Sequence, residues 1–432
     1  MRLIEKILSD ENLKEAIKRV KSNKGASGID KMTVDEIDSY FNIHKDEIIS
    51  SIMNKKYKPQ PVKRVYIPKS NGKLRPLGIP IVIDRVIQQA IAQELSLIYE
   101  PYFSNNSYGF RPNRDCHKAI ERALSLINGG YEWIIDLDIE KFFDTVNHDK
   151  LISILRERVF DSCTLHLIRS FLRAGIMEDG LVKSSIIGMP QGGPLSPILS
   201  NIYLDKLDKE LESRGLNFVR YADDTDIFVK SEMSANRVMV SIIKFIEKKL
   251  FLKVNATKTK VVRPTNSEFL GFTFFKTGDL WKARPTNSRK MKLYDKCREV
   301  LVRKTAVSIP LSITFTKLNQ IVKGWINYFK IGSMKLFITK FGEWLRHKVR
   351  VIILKSWKNP RTIFKNLKKL NEIYNCNISD YKINGAANTR LGWYKRTTGN
   401  VVSFIISPKL LETSNKKRER PGLVNPLNYY LS

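Results

Sequence analysis

The sequence has few of the features that mark secreted, zinc-binding or membrane proteins. It contains four cysteines in 432 residues, and these lie far apart without a C-x-x-C pair: Cys116, Cys163, Cys297 and Cys376. This spacing argues against a disulfide framework or a zinc finger and is typical of reduced thiols. No run approaches the ~18 uncharged apolar residues that a membrane span requires, and the first residues have no secretory pattern. We therefore predict a cytoplasmic protein without a membrane partner.

Acidic residues are also scarce. The chain has 75 Lys and Arg residues against 43 Asp and Glu residues, a net charge of +32. Residues 285–432 hold 30 basic and 7 acidic residues, a net of +23, whereas residues 1–284 carry a net of +9. Such an excess indicates a polyanionic partner, although a basic surface that only maintains solubility remains an alternative. Hydrophobic residues make up 42% of the chain, which excludes a disordered protein and favours two to four folded domains.

Local patterns in the first part of the chain predict both helices and strands. Residues 1–60 have helical periodicity with Ser9 at a helix start, and Asp84–Tyr99 has one apolar side. Two β-rich runs surround Asn71-Gly72, which is a strong hairpin signal. Three further predicted strands are Trp133–Ile139, Asn217–Tyr221 and Thr225–Val229.

The pattern changes after Phe272 to basic helical segments. Residues 284–288 predict a linker. Apolar residues then follow at helical spacing over residues 315–329 and 338–352. We interpret the aromatic residues among them as core rather than ligand contacts, because a helix needs one apolar stripe to pack. Pro360 predicts a helix break, and a small polar and aromatic segment follows from residue ~375.

The most informative segment is Tyr221-Ala222-Asp223-Asp224. Two adjacent carboxylates at a tight turn repel each other and lose hydration without any gain in packing. Divalent cations offset that cost, and closely spaced oxygen ligands suit Mg²⁺. Asp138, in the predicted strand Trp133–Ile139, offers a third carboxylate, so the three predict a site for two metal ions. The four-letter motif alone also arises by chance in hairpins.

Ordered blocks add weight to this motif, because together they resemble a group II intron reverse transcriptase, also called an intron maturase. The blocks follow the family's order along nearly the whole chain: KGASGID (24–30), IPKSNGKLRPLGIP (67–80), DRVIQ (84–88), SYGFRP (107–112), DIEKFFD (138–144), GMPQGGPLSP (188–197), YADD (221–224) and FLGF (269–272). The resemblance implies an α+β right-hand polymerase with fingers and palm, an α-helical thumb and a small DNA-binding region. The corresponding ranges are 1–60 for an N-terminal extension, 61–284 for fingers and palm, 285–375 for the thumb or maturase domain and 376–432 for the DNA-binding region.

The resemblance assigns catalytic and metal-binding roles within the palm. It implies that Asp138, Asp223 and Asp224 are the catalytic carboxylates and hold two Mg²⁺ ions, for which Mn²⁺ is a possible substitute. The carbonyl group of Ile139 is an additional implied ligand. Three nearby acids are interpreted as supporting or structural residues: Asp136, Asp144 and Asp226.

It also assigns nucleotide contacts. Lys69 and Arg75 would hold the triphosphate, Arg75 through forked hydrogen bonds, although two cations at a hairpin tip are often simply solvated. Phe143 would face the sugar 2′-hydroxyl, with core packing as the alternative. Gln191 would contact the nucleotide sugar or base pair. Lys258 would protonate the pyrophosphate, with a solvated lysine as the alternative.

Further implied contacts are with nucleic acid. Asn23 and Gly25 lie in a segment expected to touch template RNA through backbone amides, and Arg111 is expected beneath the template. The thumb is expected to bind intron RNA and duplex through Arg346, Lys348 and Arg350. The last region mixes basic and aromatic residues suited to single strands, and a packed Trp393 is equally consistent with the sequence. Its expected contacts are Arg390, Trp393, Lys395 and Arg396.

The implied function is RNA-directed DNA synthesis that copies intron RNA during retrohoming, together with help in splicing. The expected partners are intron RNA in a ribonucleoprotein, RNA template–DNA primer duplex, target DNA and dNTPs, in a bacterial cytoplasm with nucleoid association during DNA synthesis. The absence of paired cysteines and histidines after Tyr430 predicts the endonuclease-lacking, group IIC type. A non-enzymatic RNA-folding splicing factor and a host-adopted or defence-associated reverse transcriptase remain alternatives. The sequence leaves the oligomeric state open.

Overall fold

The computed structural model describes residues 1–68, 72, 74–178, 180–183, 186–414 and 421–432. These residues form two compact units, Met1–Phe269 and Leu270–Ser432. Both contain helices and strands, and the predicted α+β class is confirmed. Within the described ranges no helix is both long enough and apolar enough to span a bilayer.

The first unit begins with helices whose ends are marked in the sequence. These are α1 (Leu3–Ile7), α2 (Asp10–Ser22) and α3 (Ile37–Met53), with a 3₁₀ turn at Val34–Glu36. Ser9 caps α2 as predicted, because its hydroxyl accepts a hydrogen bond from the Asn12 amide at 3.4 Å. The buried side of α2 packs on α4 (Val82–Tyr99), whose residues are mostly buried. A second 3₁₀ turn at Glu100–Tyr102 follows α4.

The predicted hairpin forms the edge of a four-stranded sheet. β1 (Val62–Pro68) pairs antiparallel with β2 (Leu74–Ile79), and Pro68 lies opposite Leu74. β4 (Ile176–Glu178) runs parallel to β1 and pairs antiparallel with β5 (Leu181–Lys183), so the strand order is β2-β1-β4-β5. Asn71 of the turn lies outside the described residues.

A second sheet holds the YADD segment. Its strands are β3 (Trp133–Leu137), β6 (Asn217–Tyr221), β7 (Asp224–Val229) and β8 (Lys260–Val262), in the order β6-β7-β3-β8 with antiparallel neighbours. The remaining helices of this unit are α5 (Cys116–Asn128), α6 (Phe142–Thr145), α7 (His148–Arg156), α8 (Ser162–Arg173), α9 (Ser196–Ser213) and α10 (Glu232–Lys249), with a 3₁₀ turn at Pro264–Asn266. The predicted strands are confirmed to within two residues.

The start of α9 is capped by a residue outside the usual set of capping side chains. Leu195, not Ser196, is the N-cap residue. The Ser196 hydroxyl instead donates a hydrogen bond to the Pro190 carbonyl oxygen at 2.5 Å. The side chain therefore closes the preceding loop instead of capping the helix.

The second unit opens with a hairpin of β9 (Phe272–Thr277) and β10 (Leu280–Pro285). The linker predicted over residues 284–288 is wrong, because Arg284 and Pro285 still pair with β9 and a helix begins at Asn287. The predicted boundary after residue 284 lies inside this unit. The helices that follow are α11 (Asn287–Val300), α12 (Arg303–Ala306), α13 (Leu311–Phe329), α14 (Lys335–Ser356), α15 (Pro360–Ile373), α16 (Asp380–Asn388), α17 (Trp393–Thr398), α18 (Asn400–Ile405), α19 (Pro408–Glu412) and α20 (Pro426–Leu431).

Apolar stripes on α13 and α14 form the core of the second unit, as predicted. Phe315 and Val322 of α13 and Phe341 and Leu345 of α14 are fully buried. The Tyr294 ring of α11 adds edge-to-face contacts with the rings of α14. Pro360 is the first residue of α15, and the Asn359 side chain accepts a hydrogen bond from the Thr362 amide at 2.9 Å, which explains the predicted break.

Candidate active site

The predicted catalytic carboxylates lie where β3 ends and where the neighbouring strand β7 begins. β6 and β7 are joined by a tight turn in which Tyr221 lies opposite Asp224. β3 is the other neighbour of β7, and its last residue, Leu137, lies opposite Thr225. Asp138 directly follows β3, so it emerges at the same end of the sheet as Asp223 and Asp224. Pairing between strands that are distant in the sequence therefore places the three predicted residues at one end of the sheet.

The electrostatics of Asp224 reflect this proximity. Partial removal of its carboxyl group from water, followed by the charges of Asp223, Asp138 and Asp136, raises the pKa of Asp224 to about 6, although the residue as a whole is exposed to solvent. Further along the sheet, burial and then the charge of Asp136 raise the pKa of the fully buried Asp226. The predicted supporting acids Asp136 and Asp226 are thus cross-strand partners beneath the three carboxylates.

Lys258 lies in this cluster. Its Nζ atom donates to both carboxylate oxygens of Asp138, at 2.9 and 3.1 Å. The backbone of the same loop holds Asp138 as well, because the Asn255 amide donates to the Asp138 carbonyl at 2.8 Å. The Lys258 side chain remains 65% exposed, so it is solvated and also paired with a predicted catalytic carboxylate. Ile139, the predicted carbonyl ligand, is buried and bridges to Val254.

The donor chemistry of the cluster suits a hard divalent cation. Asp138, Asp223 and Asp224 offer only carboxylate oxygens, the ligand type that Mg²⁺ prefers. In the described part of the chain, no three acidic, histidine or cysteine side chains are already drawn together into a metal-binding group. The carboxylates are therefore neighbours rather than a closed cage, and the ammonium of Lys258 supplies positive charge at Asp138.

Two predicted nucleotide contacts meet next to the first sheet. Arg75 of β2 donates from Nε to the Gln191 side-chain oxygen at 3.1 Å. The Gly78 amide donates to the Gln191 carbonyl at 2.7 Å. Gly192 has φ +121°, and a Cβ atom there would lie 2.6 Å from the Gly78 carbonyl oxygen, so only glycine allows this approach. Lys69, the other predicted triphosphate contact, lies outside the described residues.

Phe143 lines a cleft of about 350 Å³ together with Gln191, Arg64 and Tyr66. Its neighbour Phe142 is buried, and the two rings meet edge to face with centroids 5.2 Å apart. Phe142 therefore packs in the core, whereas Phe143 is half-buried with one side on the cleft. Phe143 also packs against the hydrophobic core, so both of its roles, facing the sugar and packing in the core, remain predictions.

Two family models match the chain. One is described as reverse transcriptase (RNA-dependent DNA polymerase) and covers residues 67–274. The other is the group II intron, maturase-specific domain and covers residues 290–371. Protein YkfC of Escherichia coli strain K12 is 33% identical over 300 residues, which are 60% of this chain and 79% of YkfC. The chain belongs to the group II intron reverse transcriptase family.

In other relatives, the similar region is a smaller part of the whole protein. The group II intron-encoded protein LtrA of Lactococcus lactis subsp. cremoris is 42% identical over 207 residues, which are 48% of this chain and 34% of LtrA. The putative COX1/OXI3 intron 1 protein of Saccharomyces cerevisiae is 26% identical over 82% of this chain and 47% of its own. A solved structure, the partial Cas6-RT-Cas1--Cas2 complex, has a TM-score of 0.36 and 21% identity, covering 58% of this chain and 43% of that one. The chain thus spans about a third of LtrA and just under half of the yeast protein.

The structure contradicts two of the nucleic-acid contacts expected for this group II intron reverse transcriptase. Arg111 is buried, forms a 2.8 Å ion pair with Glu100 and donates to the Ser107 carbonyl oxygen at 2.9 Å. Arg350 of α14 is buried and donates to the carbonyl oxygens of Ile406 and Ser403 at 2.8 and 3.3 Å. Burial lowers the pKa of Arg350 to about 10. Both guanidinium groups are engaged inside the protein, so neither is free to bind phosphate.

The other expected contacts remain accessible to different degrees. Asn23, Arg390 and Lys395 are exposed, Gly25 lies against the Arg85 guanidinium, and Arg346 and Lys348 are half-buried. The Lys348 ammonium lies 5.9 Å from the centre of the Tyr394 ring. The Arg396 guanidinium lies 4.8 Å from the centre of the half-buried Trp393 ring. Trp393 is therefore partly packed and partly open, and both of its proposed roles remain predictions.

Sequence reasoning missed a buried group next to the YADD turn. Arg220 and Asp208 are fully buried and form an ion pair, and Asn201 is a further neighbour. The available signal was an arginine directly before the motif, in a strand whose preceding residues, Phe218 and Val219, are apolar. A charge at such a position requires a buried partner.

Proposed function

We propose that this protein is an RNA-directed DNA polymerase that copies intron RNA and also assists the splicing of that RNA. The observation that supports the polymerase role most directly is the convergence of Asp138, Asp223 and Asp224 at one end of neighbouring strands. It falls inside the region that matches the reverse transcriptase family. The match of residues 290–371 to the maturase-specific domain supports the splicing role.

Asp138, Asp223 and Asp224 would hold two Mg²⁺ ions, with the Ile139 carbonyl as a further ligand. When bound, the ions supply Lewis-acid charge at the attacking 3′-hydroxyl and at the departing pyrophosphate. The carboxylates must be ionised to bind them. The protein's part is to hold these oxygens at one edge of a rigid sheet.

Residues around the cleft would bind and orient the incoming dNTP. Arg75 would donate two parallel hydrogen bonds to triphosphate oxygens, and its hydrogen bond to Gln191 holds it next to a residue that lines the cleft. The Phe143 ring, supported by Phe142, would exclude a 2′-hydroxyl. Lys258 would hold a proton at Nζ next to Asp138 and donate it to the pyrophosphate.

The second unit would supply much of the affinity for intron RNA and for template–primer duplex. Residues 270–432 hold 33 basic and 8 acidic residues, a net of +25. Phosphate contacts of this kind release counterions, so we expect affinity to fall steeply with salt. Contacts with target DNA through Arg390, Lys395 and Arg396 are part of the same proposal.

Primer extension on an RNA template tests the polymerase role. Asp223→Asn should lower the extension rate at least ~1,000-fold, because a metal ligand in the reaction is lost. Asp35→Asn, at an exposed position in the Val34–Glu36 turn, is the matched control and should extend at the wild-type rate. Full activity in Asp223→Asn would contradict the proposed site.

Intron splicing provides the second measurement. The Asp223→Asn variant should stimulate splicing as well as the wild type, because the splicing role uses RNA binding rather than nucleotidyl transfer. A wild-type protein that stimulates splicing and extends no primer would instead be a non-enzymatic splicing factor. A wild-type protein that extends primers and leaves splicing unchanged would favour a host-adopted or defence-associated enzyme.

A further inference from the structure

The turn that carries Asp223 and Asp224 is attached to a buried arginine whose role the motif does not explain. We infer that Arg220, anchored by Asp208 and Asn201, is a positioning residue that holds the Ala222 carbonyl and thereby sets the carboxylates of the turn for metal binding. This inference rests on the proposed polymerase function.

Arg220 uses the two sides of its guanidinium group differently. The Nε and Nη2 atoms donate to the two carboxylate oxygens of Asp208 at 2.7 and 2.6 Å, and both side chains are fully buried. The Nη1 atom donates to the Ala222 carbonyl oxygen at 2.8 Å and to the Asn201 side-chain oxygen at 3.1 Å. One fork thus anchors the arginine on α9, and the other reaches the catalytic turn.

The turn needs such a restraint because of its backbone conformation. Ala222 has φ +58°, the left-handed region that residues with a Cβ atom rarely adopt. Rotation of Ala222 out of this region would swing the peptide that leads to Asp223. A hydrogen bond to the Ala222 carbonyl from a fixed donor opposes that rotation directly. The contact therefore acts on the dihedral angle that orients the carboxylates.

A second segment, which contains Gly109, also restrains Ala222. A Cβ atom on Gly109 would lie 2.4 Å from the Ala222 amide nitrogen, so only glycine permits this close approach. Asn201 connects the two restraints, because its side-chain nitrogen donates to the Gly109 carbonyl oxygen at 2.8 Å. The same side chain therefore touches both Arg220 and the segment that covers Ala222.

The SYGFRP motif supplies that segment and is paired with the strand of Arg220. The Tyr108 amide donates to the Arg220 carbonyl at 2.8 Å, and the Arg220 amide donates to the Asn106 carbonyl at 2.9 Å. The motif thus extends the edge of the sheet next to the turn, and the buried Arg111 is bonded to Ser107 within the motif and to Glu100 outside it. This arrangement gives the motif a function within the protein that does not require contact with the template.

A purely structural ion pair would need the fork to Asp208 and some acceptor for the remaining buried N–H groups, but it would not need that acceptor to be the Ala222 carbonyl. Buried ion pairs add little net stability, because desolvation offsets their attraction. The Nη1 bonds to the turn add a directional constraint on Ala222 that stability alone does not require. We therefore assign the group to the geometry of the active site.

Arg220→Lys tests the inference, because lysine keeps the charge but cannot make both forks. Binding of Mn²⁺ is measured by the loss of the free-ion signal in electron paramagnetic resonance, and Asp223→Asn defines the fraction bound at this site. We expect Arg220→Lys to weaken that binding at least threefold and to lower the single-turnover extension rate at least tenfold. The dissociation constant for template–primer should stay within twofold of wild type.

Tyr99→Phe is the matched control. It removes a buried 3.1 Å hydrogen bond to the Leu155 carbonyl without touching the turn, so it should leave Mn²⁺ binding and extension within twofold of wild type. Circular dichroism confirms folding of each variant at the assay temperature. If Arg220→Lys does not fold, Asn201→Ala takes its place, since it removes one acceptor of Nη1 and keeps the pair with Asp208. It should weaken Mn²⁺ binding at least twofold.

Ala222→Gly separates an effect on the turn from a general packing effect. Glycine adopts the left-handed conformation at little cost, so in this background the turn depends less on Arg220. The Arg220→Lys/Ala222→Gly double variant should extend at least threefold faster than Arg220→Lys. If the double variant's loss in extension rate equals the product of the losses in Arg220→Lys and Ala222→Gly, the two changes act independently. Arg220 would then act through packing, and the inference would be overturned.

Two further outcomes are decisive. A folded Arg220→Lys protein that binds Mn²⁺ within twofold of wild type would also overturn the inference. If the wild type extends no primer, the proposed polymerase function fails, and the Mn²⁺ titration still decides whether Arg220 positions the carboxylates.

Discussion

The two compact units place their charges in different ways. In the first unit, residues 1–269 are nearly balanced at a net of +7, and several ionisable groups are buried close to one another around the candidate active site. In the second unit, 33 basic residues face 8 acidic ones, and the core on α13 and α14 is apolar and aromatic. The difference indicates that the first unit uses charge for precise geometry, whereas the second uses charge for long-range attraction to a polyanion.

The buried arginines illustrate this difference. Arg220 in the first unit pairs with a carboxylate and with the turn that bears Asp223 and Asp224. Arg350 in the second unit donates to the carbonyl oxygens of Ser403 and Ile406, at the C-terminal end of α18. The first arrangement links a charge to the turn of the proposed active site, and the second joins α14 to the end of α18. Burial of an arginine therefore does not by itself indicate a functional site; its partners decide.

The largest expected effect separates chemistry from binding. Asp138→Asn should lower RNA-templated extension at least ~1,000-fold, since it removes a proposed metal ligand. Its affinity for intron RNA, measured by filter binding, should stay within twofold of wild type, because most of the positive charge lies in the second unit. A tenfold loss of RNA affinity in this variant would show that the two units do not divide their roles in this way.

An intermediate effect is expected from the half-buried cations of α14. The Arg346→Ala/Lys348→Ala double variant should bind intron RNA about 3–10-fold more weakly at low salt. The slope of log affinity against log salt should also fall by about one per lost phosphate contact. Arg350→Lys is the comparison variant: with its inward hydrogen bonds disturbed, it should lower the free energy of unfolding by about 1–3 kcal/mol and leave the slope unchanged. An unchanged slope in the double variant would contradict the role of these residues.

The smallest expected effect concerns pH and Asp224. Its pKa rises from 3.8 in the unfolded chain to about 6 in the fold, so the folded protein binds this proton more tightly. The resulting stabilisation is fully present below pH 3.8 and is lost as the pH rises through 6. Without divalent metal, Asp224→Asn should therefore raise the melting temperature at pH 8 by about 1–3 °C and have less effect near pH 4.5.

Calorimetry of wild type and Asp224→Asn at the two pH values measures this difference. Asp35→Asn, at an exposed site in the same unit, is the control, and its small effect on the melting temperature should be the same at both pH values. A variant that is destabilised at pH 8 would show that the Asp224 carboxylate is stabilised in the fold. The repulsion among Asp138, Asp223 and Asp224 would then be absent.

Patterns of neighbouring residues predicted most of the local structure. Ser9 caps α2, the two β-rich runs pair as a hairpin, and the strand candidates around the YADD segment are present. The predicted linker at residues 284–288 failed, because the pairing of β10 with β9 overrides a local sequence rich in turn-forming residues. The Ser196 hydroxyl likewise bonds to a carbonyl of the preceding loop, a contact that the local sequence does not reveal.

The sequence by itself determined the periodicity of the helices and strands, the paired carboxylates and the uneven charge, because each depends on residues close together in the chain. Only the tertiary structure decided which charged side chains work together. Lys258 reaches Asp138 across 120 positions, and Arg75 reaches Gln191 across 116. Arg111 points into the protein because it pairs with Glu100 there, and Arg350 does so because it bonds to the Ile406 carbonyl oxygen. Burial and ion pairing depend on the neighbours that folding supplies, and those neighbours lie far away in the sequence.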